Sequence, residues 1–360
     1  MYPVKLLFVA GLMASLTACG ATTRLPEIDD SAAKAEAEKQ REFVVMEMEQ
    51  GLHRLHRIGL PILRENAPLC EKKRYTTGMR FAFWRDANKE FKPAIVKHFD
   101  LGDHAKIVDV PEGTPAAAAG LESGDEIIEI NGSKEPSEPK HIYKWVADTF
   151  EEMSKEDKVV SLSVLRGGEE KSITIEPVAV CGYPVQLKKS PVVNAFADGS
   201  RIVIHSGMMD FTRNDDELAL IVGHELAHNT MLHVQKGTGN QIAGAVLGAL
   251  IGALIGVDLS RVGADVGGAI NSQEFEAEAD YVGVYYTARA GFDVSNVANL
   301  WRRMAANNPR SIHLAGTTHP STAKRFLAIE QTASEIAKKK SSGKPLVPED
   351  RGSETAKPAS

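Results

Sequence analysis

Cysteine is scarce in this 360-residue chain, with three in all, at positions 19, 70 and 181. That is too few for a small disulfide scaffold. Basic residues are not in excess either: 42 Lys and Arg face 48 Asp and Glu, for a formal net charge of −6. A nucleic-acid binder held by a basic surface is therefore disfavoured. After the first 20 positions no run of 18 or more apolar residues occurs, which excludes a polytopic membrane protein. What remains is ordinary for a globular chain, 43% hydrophobic and 25% charged, and too apolar for a wholly disordered one. At roughly 100–200 residues per domain, the length suggests two or three domains.

Residues 1–18 carry one positive charge, Lys5, followed by an apolar stretch from Leu6 to Ala18. This is a secretory signal layout, too short to span as a mature helix. The stretch ends Leu16-Thr17-Ala18-Cys19-Gly20, which resembles a bacterial lipobox. The resemblance implies cleavage after residue 18 and lipidation of Cys19. The plainer reading is a simple signal peptide followed by an incidental cysteine. Each buried methylene contributes about 0.8 kcal/mol, and stable anchoring takes more than one acyl chain. Bacterial lipoproteins carry two or three. Gly20 is not the aspartate that retains such proteins in the inner membrane. The expected place is thus the bacterial cell envelope, lipid-anchored, facing the periplasm, on the outer membrane. Removing 1–18 takes out one lysine and no acid, so the net charge of −6 becomes −7.

Residues 19–30 read as a tether. Residues 31–69 read as a helix, with Phe43, Met46, Leu52, Leu55 and Ile58 at helical spacing,. Pro61 and Pro68 are expected to end it. From about 75 to 180 the pattern turns to short β-rich runs. After 182 it becomes strand and then long helices. From Lys338 the chain is rich in Lys, Ser, Pro and Gly with almost no apolar content, and 336–360 is expected to be a disordered tail.

The middle block holds the strand-like run Ala105 to Val110, then Gly113-Thr-Pro-Ala-Ala-Ala-Ala-Gly120-Leu-Glu-Ser-Gly-Asp125, the run Glu126 to Ile130, and Asn131-Gly132. Asn-Gly after an alternating run signals a tight turn. Ile142, Trp145, Val146 and Phe150 share one face of a helix near 140–153, and Gly167-Gly168 sits between two strand-like runs,. The block resembles a PDZ domain. Its fold would be a small β-barrel or sandwich, and its expected partners are peptide or protein C-termini, bound as an added strand. The carboxylate-holding loop has two candidates, Thr77-Gly78-Met79-Arg80-Phe81 and Leu101-Gly102. A structural spacer is the plainer alternative. Cys70 and Cys181 bracket this insert, 70–181, and domain ends are usually close in space. In an oxidising periplasm they are expected to form a disulfide; the alternative is two buried thiols.

The chemistry is concentrated further on. Asn214 or Asp215 can cap a helix that carries Leu218, Ile221 and Val222 and then His224-Glu225-Leu-Ala-His228,. His224 and His228, four apart, point the same way and can bind one metal ion at about 2.0–2.1 Å. Glu225 is placed to take a proton from a metal-bound water. The plainer reading is two solvent-facing histidines. A catalytic site needs a third protein ligand. His233, half a turn away if the helix continues, is not expected to supply it. The acidic run Glu274-Phe-Glu276-Ala-Glu278-Ala-Asp280 can, with Asp280 receiving a ring N–H of a ligand histidine.

These motifs, with Asn194-Ala-Phe-Ala197, Asp216-Glu-Leu-Ala219, Ala290-Gly-Phe-Asp293 and Thr318-His-Pro320…Arg325, resemble the gluzincin zinc peptidases of the HtpX, BepA and LoiP type, CAAX prenyl endopeptidases among them. The resemblance covers 182–330 and implies an α+β chain: a mainly helical peptidase domain, 182–335, with a small β-sheet, joined by the 31–69 helix and interrupted by the PDZ-like insert. It selects Glu276 over Glu274 and Glu278, since only Glu276 gives Glu-x-x-Ala-Asp. It implies one Zn²⁺ per chain on His224, His228 and Glu276. Asp280 would support a ligand, and Glu225 would act as general base and acid. His319 would be a transition-state donor or a closing fourth ligand. The substrate would lie as an added strand on Val193–Phe196 or Arg201–His205. The implied activity is endopeptidic quality control of unfolded or misassembled envelope proteins. The alternative is a periplasmic chaperone or adaptor lipoprotein with a closed or little-used zinc site.

Between the two ligand helices, Gly244, Gly248, Gly252 and Gly256 recur every fourth residue. The stretch 242–257 would reach about 24 Å as a helix, short of a roughly 30 Å hydrocarbon core. A buried hairpin over the site, a membrane contact and an oligomer contact all remain open.

Overall fold

The computed structural model describes residues 26–83, 89–239, 272–307 and 323–349, with a few isolated positions besides. The signal segment, Cys19, the glycine-rich stretch from Gly244 to Gly256 apart from Val246, His319 and 350–360 lie outside the described residues.

Helix α1 is 36 residues long, Asp30–Glu65, and starts where Asp29 accepts from the backbone N–H groups of Ser31 and Ala32. Its second half buries Leu55, Ile58, Gly59, Ile62 and Leu63, one stripe at helical spacing. The helix does not end at Pro61; it passes through it and stops at Glu65. An interior proline costs about 3 kcal/mol. Ile58 and Ile62 on either side are fully buried, and each contributes about 1.5–3 kcal/mol, so packing outweighs the lost bond. Asn66 then closes the helix, its side-chain amide donating to the carbonyls of Ile62 and Tyr286.

Strands β1 (Lys73–Thr76) and β8 (Val178–Cys181) pair antiparallel as a two-stranded ribbon. Cys70 and Cys181 are joined by a disulfide at its base, with Cα atoms 5.5 Å apart. Both cysteines lie in the core that α1 shares with the later helices. Replacing both by serine is expected to lower stability by about 2–4 kcal/mol. An unchanged denaturation midpoint under oxidising conditions would refute this.

Above the ribbon stands a sheet ordered β2 (Arg80–Ala82), β3 (Ala105–Asp109), β4 (Glu126–Ile130), β6 (Val160–Arg166) and β7 (Glu169–Ile175), with β5 (Ser133–Lys134) pairing β4. Short helices α2 (Lys92–Phe99) and α3 (Pro115–Ala118) and the longer α4 (Pro139–Met153) complete the block. It has its own core, including Ile107, Ile127, Ile142, Val146, Leu162 and Ile175. Asn131 and Gly132 both take left-handed φ, 49° and 81°, the requirement of a tight hairpin turn. Strand β2 is one outer strand of the sheet, β7 the other, and Gly78 before β2 has φ 75°. Of the two loop candidates, only 77–81 leads into an outer strand. Phe81 on β2 packs against Tyr143 and Phe150 of α4.

The remainder holds β9 (Val185–Lys188), β10 (Ala195–Ala197), β11 (Ile202–His205), α5 (Ser206–Phe211), α6 (Asp215–Thr230), α7 (Ser272–Arg289), α8 (Ala298–Asn307) and α9 (Ala323–Ser341). Strand β11 lies between β10 and β9. It has no free edge, so 201–205 cannot accept an added strand; β10 is the outer strand beside α6.

Among the described residues the disorder expected from 336 is not found: α9 runs to Ser341 and 342–349 folds back. Arg289 donates to the Leu346 carbonyl, Lys339 to that of Val347, and the Glu349 N–H to the Tyr281 hydroxyl. Composition misleads here because the Lys339 ammonium, 4.8 Å from the centre of the Tyr285 ring, is also held by Glu335 and Glu349,. The carbonyls of the tail do the rest.

Candidate metal centre

Helix α6 opens with a reciprocal cap. The Asn214 side chain accepts from the Glu217 N–H, and Glu217 accepts from the Arg213 N–H,. Leu218 to Ala227 are buried without interruption, so the helix is a core element rather than a surface with one apolar face. Its histidines are not solvent-facing: the side chain of His224 is 1% and that of His228 12% exposed, and Glu225 between them is buried.

Helix α7 crosses α6 at two glycines. A Cβ on Gly223 would lie 2.7 Å from the Gly283 carbonyl, and one on Gly283 would lie 2.7 Å from the His224 Cα. Only glycine permits this approach, and it occurs beside a candidate ligand. Gly283→Ala is expected to cost about 1–3 kcal/mol and to weaken metal binding by pushing α7 from His224. Unchanged melting and metal titrations would contradict this.

The crossing brings the acidic run of α7 against the histidines. The Nε2 atoms of His224 and His228 are 3.1 Å apart. Glu276 lies 3.6 Å from the first and 3.3 Å from the second. Donors bound at 2.0–2.1 Å around a tetrahedral centre stand about 3.3 Å apart, so these three fit a single metal ion. Among the described residues they are the only such cluster.

Charge in the pocket agrees. Asp280 lies 3.1 Å from His224 Nδ1. Arg325 on α9 grips Asp280 with two nitrogens, at 2.6 and 2.8 Å, and reaches Glu276 at 3.1 Å. Its guanidinium lies over Trp301, which also packs on His224. Burial alone would raise the Asp280 pKa, but Arg325 and His224 hold it below its ordinary value. Burial opposes charge on His224, yet Asp280 and Glu276 outweigh it and raise its pKa to about 10. Two buried carboxylates against one arginine favour further positive charge in the pocket.

Glu278 faces neither His224 nor His228; its carboxylate takes the ring of His233 at 2.8 Å. The role of Arg325 was missed from sequence, where the residue stood only as part of a motif. The available signal was the need of two buried carboxylates for a cation.

Residues 181–333 match the model of peptidase family M48, and 96–176 match that of a PDZ domain. The chain is 26% identical over 192 residues to mitochondrial metalloendopeptidase OMA1 of Arabidopsis thaliana, covering 51% of this chain and 40% of that protein. It is 31% identical over 127 residues to beta-barrel assembly-enhancing protease of Yersinia pestis, covering 31% and 26%. It is 27% identical over 181 residues to Metalloprotease LoiP of Escherichia coli, covering 48% and 69%. The chain thus spans less than half the length of the first two.

Proposed function

We propose that this chain, which carries a peptidase family M48 domain and a PDZ domain, is a zinc-dependent endopeptidase of the bacterial cell envelope, with unfolded or misassembled proteins as substrates. The observation that carries the reading is the convergence of His224, His228 and Glu276 at metal-site spacing. Two imidazoles and a carboxylate are a zinc donor set. The bound ion supplies Lewis acidity at the scissile carbonyl and acidifies a water.

The chain's own residues do the rest. Asp280, 3.1 Å from His224 Nδ1, is placed to accept its hydrogen, which would leave Nε2 as a lone-pair donor,. Arg325 holds Glu276 and Asp280 in place. Glu225 takes the proton of the attacking water and delivers it to the leaving amine. Outer strand β10 offers its backbone to an extended substrate, which places the scissile bond by main-chain hydrogen bonds and demands an unfolded segment. The outer edge of β2 in the PDZ domain receives a second stretch, a polypeptide C-terminus. Cys19, once lipidated, tethers the whole to the outer membrane, and His319 acts at the site as donor or fourth ligand. The names of the relatives in Yersinia pestis and Escherichia coli support proteolysis in a bacterial cell and, for the first, a link to β-barrel assembly.

The test is degradation of an unfolded model protein by the mature soluble form. A chelator should stop cleavage and added zinc should restore it. Cleavage that continues without metal would overturn the reading; zinc retained without any cleavage would favour a chaperone.

A further inference from the structure

His233 and Glu278 are both left over by the ligand assignment, and they meet each other. Helix α6 ends at Thr230, and Leu232 takes a left-handed φ of 57°, a conformation that a bulky side chain rarely adopts. After this turn helical backbone resumes at His233, whose ring meets that of His228 edge-on, the centroids 4.9 Å apart. The two Nδ1 atoms are 3.0 Å apart. The other nitrogen of His233 lies 2.8 Å from Glu278. The His233 ring is 4% exposed and stacks on Phe275 at 4.6 Å.

We infer that His233 and Glu278 form a relay that positions His228 as a metal donor. The inference rests on the reading of His228 as a ligand. Hydrogen-bond polarity then fixes every proton. If His228 gives its Nε2 lone pair to the ion, its Nδ1 carries the hydrogen and donates to His233 Nδ1. His233 Nε2 in turn carries a hydrogen and donates to Glu278. A charged His233 would place two N–H groups nose to nose, so the relay requires the neutral ring. The two ligand histidines are thus supported unequally. His224 has a buried carboxylate directly behind it, Asp280, itself compensated by Arg325. His228 has a neutral imidazole and then a carboxylate that is 46% exposed. Both arrangements orient a ring and raise its basicity, and loss of such support commonly costs 10–100-fold in metal affinity.

The experiment is zinc competition against a chromophoric chelator on the full mature chain, with thermal melts of the metal-free forms as the folding control. His233→Leu keeps bulk on Phe275 and removes both polar atoms; affinity should fall 10–100-fold. His233→Gln keeps an acceptor and a donor and should stay within about threefold of the unaltered chain. Glu278→Ala should lose severalfold, and the double variant with His233→Leu should lose no more than His233→Leu alone, because one unit has been broken once. Wild-type affinity in His233→Leu, an equal loss in His233→Gln, or additive losses would each overturn the relay. Should His233→Leu fail to fold, half-exposed Glu278 carries the test: unchanged affinity in Glu278→Ala overturns it. A wild-type chain that binds no zinc defeats the proposed function itself, and the relay with it.

Discussion

Glu225→Gln is expected to slow peptide hydrolysis by two to four orders of magnitude with zinc content unchanged. General acid–base catalysis contributes about 10²–10⁴ in rate, or roughly 3–5 kcal/mol at 1.36 kcal/mol per decade. Glutamine keeps the shape of the side chain in a buried helix where Glu225 is 2% exposed, but its amide cannot take the proton of the attacking water. Glu225 is not one of the three converging donors, so zinc should stay. The measurement is single-turnover cleavage of an unfolded protein, with metal counted on the same sample. A variant that cleaves at the wild-type rate removes Glu225 from the mechanism. A variant that loses its zinc shows instead that Glu225 supports the site.

Arg325→Ala is expected to cost about 3–5 kcal/mol, the loss typical of breaking one partner out of a buried ion pair. Arg325 is buried and meets Asp280 twice and Glu276 once. Without it two carboxylates stay in the core beside His224 and His228, short of a permanent positive charge. Arg325→Lys keeps the charge but loses the two-pronged grip, so its stability should fall between the other two. Chemical denaturation of the metal-free chains reads all three, because bound zinc would stabilise the folded state by mass action and blur the comparison. An Arg325→Ala chain with the wild-type midpoint would mean that the carboxylates are compensated from elsewhere.

What was legible in the sequence was legible for local reasons. His224 and His228 share a face because they are four apart on one helix, and Glu276 and Asp280 share one for the same reason. Asn131-Gly132 announced a turn because two consecutive left-handed residues are needed there. What escaped depends on distant contacts or on a single backbone angle. Extending α6 as an ideal helix put His233 half a turn away; Leu232, with its φ of 57°, returns it to His228. Pro61 looked like a stop because its neighbours' burial against other helices is not a local property. Arg325 looked like one motif residue among many because its partners lie 45 and 49 positions earlier.

The ribbon that closes the insert also sets an order of events while the chain is being made. Helix α1 is complete at Glu65, yet its packing partners α6 and α7 begin only at Asp215 and Ser272. At 5–20 residues per second, the interval before α6 begins is roughly 7–30 s. Until β8 and β9 are made, the stripe of Leu55, Ile58, Ile62 and Leu63 waits for the elements that share its core. The insert, with a core of its own, can fold meanwhile. The pairing of β8 with β1 and of Cys181 with Cys70 then brings the growing end back to the foot of α1. Strand β9 starts four residues later, so the long detour ends with the waiting helix beside β8 and β9.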